Sequence, residues 1–324
     1  MLNLFIILIL KMSITIHIPF YNPNPEKREG YRNLTRFDYL KENISNLKNL
    51  SLPTDISIHT HNNYLDNKNL DAKIINHRIN NEDLKKGYLT WLTRPEMQKQ
   101  AGNFDYYMYL EHDIKFTEKN LQYYLKYQKS LSDNKFNLGF LIYEKNNEDN
   151  ENYSIHITEK LNKFFKLNSQ NFIINDLDNY CCFWIYDQNQ FDYFINSKWW
   201  NFKKKVHNFR HNYGITERSS IGLNAFNINY FKATLLPEIN SKLNPHCFIE
   251  HITNNYYYKF PEFREKNFKD IRGACSLKID EIIDVNKYKN ETIINLHLKR
   301  LFNVISWKLR FIIKLFKKNN QKIK

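Results

Sequence analysis

Glycine and proline are scarce, 7 and 8 residues in a chain of 324. That excludes collagen-like repeats and long linker-like tracts. Four cysteines (Cys181, Cys182, Cys247 and Cys275) are too few for a disulfide scaffold. No C-x-x-C pair exists, so zinc-knuckle and thioredoxin-type motifs are excluded, and a reducing cytoplasm is the expected compartment. Acidic residues are outnumbered, 34 against 48 Lys plus Arg, giving a net charge of +14 and a pI near 9.3. No internal repeat occurs. The longest apolar run at the start, 2–10, falls far short of the ~20 residues that span a bilayer. It has no basic flank before it and no small-residue cleavage site after it, so a signal peptide is not expected. Two readings of residues 1–12 stay open: a start that belongs at Met12, or a short hydrophobic anchor.

Apolar residues make up 42% of the chain and aromatics 16%, with 24 Phe and 22 Tyr. A chain this long hides about three quarters of its unfolded surface and needs no metal or disulfide staple. Roughly one residue in seven is Asn. With so much Lys, Ile and Tyr, this composition reads as that of an AT-rich genome. The positive charge is then partly codon usage and names no partner by itself.

Strand and helix signals alternate. Residues 13–18 have the β-branched density of a buried strand, closed by Pro19 and an Asn-Pro-Asn-Pro turn. A helical period covers 32–50 through Leu40, Ile44, Leu47 and Leu50. Strands follow at 55–59, 72–75 and 105–110, then a helix from the cap Thr117 to Tyr127 and strands at 136–143 and 183–186. The stretch 145–152 reads as a surface loop, 199–212 as an aromatic and basic connector, and 217–226 as a short helix. This order predicts an α/β protein with a mostly parallel sheet, whose ligands lie beyond the strand carboxyl ends. Three regions are expected: 1–12, a domain over 13–270, and a tail over 271–324.

The sharpest chemical feature is Tyr109-Leu110-Glu111-His112-Asp113-Ile114. Residues i and i+2 of an extended segment point the same way, so Glu111 and Asp113 present two carboxylates at a strand's end. Such a pair is best tolerated with a cation between them, and oxygen ligands suit Mg²⁺ or Mn²⁺.

The run Ile14-Thr15-Ile16-His17-Ile18-Pro19-Phe20-Tyr21-Asn22 resembles the opening strand and Pro-x-Tyr-Asn turn of family 2 glycosyltransferases. Trp91-Leu92-Thr93-Arg94 and the strand 106–113, similar to their strand ending in Asp-x-Asp, follow in the same order. The resemblance covers about residues 13–260. It implies a GT-A fold, a nucleotide-sugar donor and a Mn²⁺ or Mg²⁺ cofactor. On that reading Glu111 and Asp113 hold the metal, and Pro19, Phe20, Tyr21 and Asn22 line the nucleotide pocket. Arg94 lies near the diphosphate. His251 is the late histidine that completes the metal shell, with His246 as the alternative. Glu217 at a helix start is the candidate base of an inverting transfer, flanked by Thr216 and Arg218, with Asp187 and Asp192 behind it. Trp199 and Trp200 are either sugar-stacking or buried aromatics. The chain departs from the family where its second strand ends in His59-Thr60-His61-Asn62 instead of acidic residues, and where Glu opens the metal pair.

The tail carries Leu298, Leu301, Phe302, Ile305, Leu309, Ile312 and Phe316 at steps of three and four, with Lys and Arg between them. Over 296–318 this is the pattern of a helix lying in a membrane surface. The expected protein is therefore a transferase peripheral to the inner face of a plasma membrane, acting on an envelope polysaccharide or lipid-linked glycan. No nucleic-acid partner is expected, since zinc-finger, RRM and KH patterns are absent. The alternatives are a basic nucleic-acid-binding protein and a catalytically inactive GT-A scaffold.

Overall fold

The computed structural model describes residues 12–146, 149–157, 159–203, 206–208, 211–225, 228, 230–255 and 275–320. The apolar run 2–10 and part of the connector 199–212 lie outside them, as do the side chains beyond Ile312. Five strands form the first sheet: β1 (Ile14–Pro19), β2 (Thr54–Thr60), β3 (Lys73–Asn76), β4 (Tyr106–Leu110) and β5 (Phe183–Asp187). Their order is β5-β4-β1-β2-β3. β1 to β4 run parallel and β5 runs antiparallel to β4. The residue types explain the placement: β1 is central and buried at every position, as a continuous β-branched run requires.

The helices cover this sheet by capping and by apolar spacing. α1 (Arg36–Lys48) starts at Thr35, whose hydroxyl and the Asp38 carboxylate close a reciprocal capping box. It buries Tyr39, Leu40, Asn43, Ile44 and Leu47. Pro95 lies in the first turn of α2 (Thr93–Lys99), where a missing N–H costs nothing. The segment before it is a 3₁₀ turn over Tyr88–Leu92 that runs directly into α2. α3 (Glu118–Ser132) begins at a second capping box, formed by Thr117 and Asn120.

Only the first sheet is mostly parallel. A second sheet, ordered Cys275–Lys278, Asn152–Ile155, Leu141–Lys145, Phe248–His251 and Ile114–Lys115, is mixed. A third is built on Lys163–Leu167, Gln170–Asn175 and Thr234–Ile239. The expected strand at 136–143 is two pieces, Asn137–Leu138 and Leu141–Lys145, belonging to different sheets. The fold is thus a Rossmann-like α/β layer in which the segment after β4 turns directly into the second sheet. The helix expected over 217–226 is α4 (Ile215–Ser219) plus a 3₁₀ turn. The last element, α5 (Ile293–Asn320), extends the expected terminal helix at both ends.

Candidate active site at the carboxyl edge

β4 delivers Leu110 to the carboxyl edge of the sheet, and the chain then turns through Glu111-His112-Asp113, with the Ile114 N–H donating to the Glu111 carbonyl at 3.2 Å. Ile114 enters the second sheet opposite His251. That pairing brings together two residues 138 positions apart: His251 Nε2 lies 3.2 Å from Asp113 Oδ2. His251 Nδ1 lies 2.5 Å from Oε1 of Glu144, a carboxylate with no exposure to solvent. Thr253 Oγ1 is 2.9 Å from the same Nε2. Nothing in the residue pattern points to Glu144, which stands just before the stretch read as a surface loop. Its place on a strand beside that of His251 is what buries it.

Electrostatics follow from that geometry. Burial alone would lower the His251 pKa, but Asp113 and Glu144 on either side reverse this and push it up to about 10. Burial would raise the Asp113 carboxyl. His112 and His251 outweigh it and hold the group well below the usual carboxylate range. His112 is half-buried and its pKa is lowered by desolvation, with its Nε2 atom buried and unpartnered and its ring edge-on to Phe20 at 5.5 Å. Glu111 accepts a hydrogen bond from Tyr180 Oη at 3.2 Å, and its N–H donates to the Cys182 carbonyl.

The nucleotide-pocket candidates share this edge. Pro19 closes β1 in register with His59. Phe20 is fully buried, and its N–H donates to the His59 carbonyl at 2.8 Å. The Tyr21 ring lies 5.3 Å from that of His61, and the Tyr21 carbonyl accepts from Arg36. Asn22 is 2% exposed with both amide atoms unpartnered, an expensive state unless something is bound there. An open cleft beyond β2 and β3 is lined by His61, Asn63, Asn76, His77, Arg78 and Asn80.

One expectation is corrected, and one open alternative is decided in favour of burial. Arg94 does not face a phosphate. The residue is 2% exposed, and its guanidinium stacks on Trp91 at 4.0 Å and donates to the carbonyls of Trp199, Trp200 and Ser219. Burial and the nearby Arg218 lower its pKa to about 9. Arg218 is buried too, against Trp91, Trp199 and Phe202. Trp199 and Trp200 belong to this aromatic core and present no face to a sugar. The Trp91-Leu92-Thr93-Arg94 segment is a packing element.

Glu217 sits half-buried in the first turn of α4. That helix reaches β4 through Ser219, whose hydroxyl donates to Tyr109 Oη at 2.9 Å. His246 is not at the metal-type cluster; its carbonyl accepts from Asn120 on α3. Asp187 caps the helix Gln188–Ile195, and Asp192 accepts from Gln188 within it, so both serve local structure.

The donor chemistry fits a divalent cation in part. Asp113 and His251 offer one oxygen and one nitrogen within reach of each other, a combination suited to Mn²⁺. Among the described residues no three His, Cys, Asp or Glu side chains stand ready to enclose an ion. Water and phosphate oxygens would have to supply the remaining positions, which is the ordinary habit of such ions with nucleotides.

No family model matches the sequence, and no curated protein does. Among solved structures, the chain is similar to the mannose-1-phosphate geranyltransferase from Thermus thermophilus, at 8% identity and a TM-score of 0.32, over 57% of this chain and 60% of that one. It is also similar to a glycosyltransferase involved in glycosylation of the major capsid of PBCV-1 (11% identity, TM-score 0.20, 41% of this chain and 52% of that one). A third is the inositol-1-phosphate CTP transferase from T. maritima (15%, 0.29, 59% and 76%). The chain thus spans less than two thirds of the first two structures' own length. All three bear the names of transferases, but at these scores the fold rests on the strand order described above.

Proposed function

We propose that the protein is a glycosyltransferase of GT-A type, moving a sugar from a nucleotide-sugar donor to an envelope polysaccharide or lipid-linked glycan. The observation that carries this reading is the meeting of Asp113 and His251 at the carboxyl edge of a parallel sheet, 3.2 Å apart and from strands far apart in sequence. Open α/β sheets bind ligands at that edge. Asp113 and His251 are the residues proposed to hold Mn²⁺ or Mg²⁺, with Glu111, beside them in the turn after β4, reaching the ion through water. A bound ion there would neutralise the diphosphate leaving group. Tyr21 and His61 offer two rings on which a nucleobase can stack, and Asn22 offers a buried amide with both ends unspent. Glu217 is the proposed base that takes the acceptor's proton in an inverting transfer.

Nucleoside diphosphates titrated one by one, with and without Mn²⁺, test this through thermal stability. A ligand of the native state stabilises by RT ln(1 + [L]/Kd), about 2.7 kcal/mol at a hundredfold excess. The expected result is a Mn²⁺-dependent rise for one nucleotide, lost in Asp113→Ala. No rise with any nucleotide overturns the reading.

A further inference from the structure

We propose that the exposed face of α5 is a docking surface for an anionic lipid bilayer, on which the helix lies in the plane of the membrane. Ile294, Leu298, Leu301, Phe302, Ile305, Leu309 and Ile312 are 45–68% exposed. At 3.6 residues per turn they fall within an arc of about 100°. Elsewhere among the described residues only Tyr31, Ile239, Val285 and Tyr288 are large, apolar and exposed. Scattered single residues of that kind are ordinary, whereas a continuous stripe is not.

The stripe is not what attaches the helix to the domain. A different side does that: Leu296 is fully buried, His297 stacks on Phe136 at 5.3 Å, and Arg300 donates to the Asn134 carbonyl at 3.1 Å. With the helix already seated, folding leaves the apolar stripe in water, a cost that calls for another partner.

Charge selects the occupant. From Ile293 onward the sequence has nine Lys or Arg and no Asp or Glu. Lys308 stands exposed beside the stripe, and Lys299, exposed on the other flank, is paired with Glu291 at 2.6 Å. A second copy of the same helix would bring two strongly cationic segments together, whereas an anionic leaflet attracts both the charge and the apolar face. Among the described residues no helix is long and apolar enough to cross a bilayer, so the helix lies on the surface. This inference does not depend on the catalytic reading.

The test is sedimentation of the full chain with phosphatidylcholine vesicles, alone or with phosphatidylglycerol, across a salt series. The double variant Leu301→Asp/Phe302→Asp runs alongside, with its melting temperature and light-scattering mass recorded. Both positions are exposed, so the variant should melt as the parent does. Expected are binding only to the phosphatidylglycerol vesicles, weakening with salt, and a loss of more than tenfold in the variant. No binding to those vesicles overturns the proposal. So does equal binding to both vesicle types, which removes the role of charge. A parent that is dimeric, binds no vesicle and becomes monomeric in the variant assigns the stripe to a second copy and overturns it as well.

Discussion

A row of three histidines and the single His251 have pKa values shifted in opposite directions by their surroundings. On the first sheet, His17 Nδ1 lies 2.8 Å from His59 Nε2, and His59 Nδ1 lies 2.8 Å from His77 Nε2. His17 Nε2 reaches Gln100 Oε1 at 2.9 Å, an oxygen that also accepts from Thr15, while the Gln100 amide nitrogen donates to Asp55. An oxygen can only accept, so the direction of the whole row follows: His17 donates to Gln100, His59 to His17, and His77 to His59. In neutral rings this order puts each proton on Nε2. Burial pushes the His17 pKa down to about 4 and lowers the other two. At the carboxyl edge, two carboxylates flank His251 and favour its protonated form; holding an ion through Nε2 would release that proton. Both His17 and His251 are buried. What differs is whether a carboxylate touches the ring, and that decides whether the histidine is a structural hydrogen-bond relay or part of a charged site.

Breaking the charged group should do the most damage. Asp113→Ala should cut sugar transfer by about a thousandfold, the scale of removing a main electrostatic contact in a catalytic site. Turnover near the parent level would remove Asp113 from the chemistry.

Next in size is the acid response of the neutral row. The folded-state pKa of His17 lies below its unfolded value, so the unfolded chain takes up the proton first. The stability that His17 contributes is therefore complete above pH 6.5 and lost as pH falls from 6.5 to about 4. The span amounts to roughly 3 kcal/mol at about 1.36 kcal/mol per unit. Urea midpoints between pH 7 and 4 measure it, and His17→Asn should flatten part of the decline. The same slope in both proteins would refute the assignment.

A milder change probes the contrast from the charged side. Glu144→Gln keeps the shape and a hydrogen-bonding group but removes the charge that holds His251 in place. Groups in this relation to a ligand histidine are typically worth about 10- to 100-fold. Transfer assays should show a loss in that range, with the Mn²⁺ concentration needed for half-maximal rate raised and the melting temperature little changed. An unaltered Mn²⁺ requirement would make Glu144 a packing residue only.

Much of the fold is legible from residue types. β-branched density marks β1 and β2, the three- and four-residue steps mark α1, and Thr117 marks the start of α3, where it forms a capping box with Asn120. The hairpin 163–175 and the strand Phe248–His251 carry no such mark. Their few apolar residues lie in an Asn- and Lys-rich background that blurs a two-residue period. Arg94 misleads for a different reason. A guanidinium suits a phosphate and a cage of carbonyls equally well, and its position in the sequence does not say which will surround it.

Strand periodicity and a terminating polar turn are local properties, so the residue order was enough to place Glu111 and Asp113 at the edge of a parallel sheet. The amphipathic tail likewise needs only helical spacing. Folding in three dimensions was required to close His251 and Glu144 on Asp113, to commit Arg94 to an aromatic core, and to line up three histidines in one neutral row. Each of these is a contact between strands or helices distant along the chain, and charge state depends on which neighbours exclude water from a group.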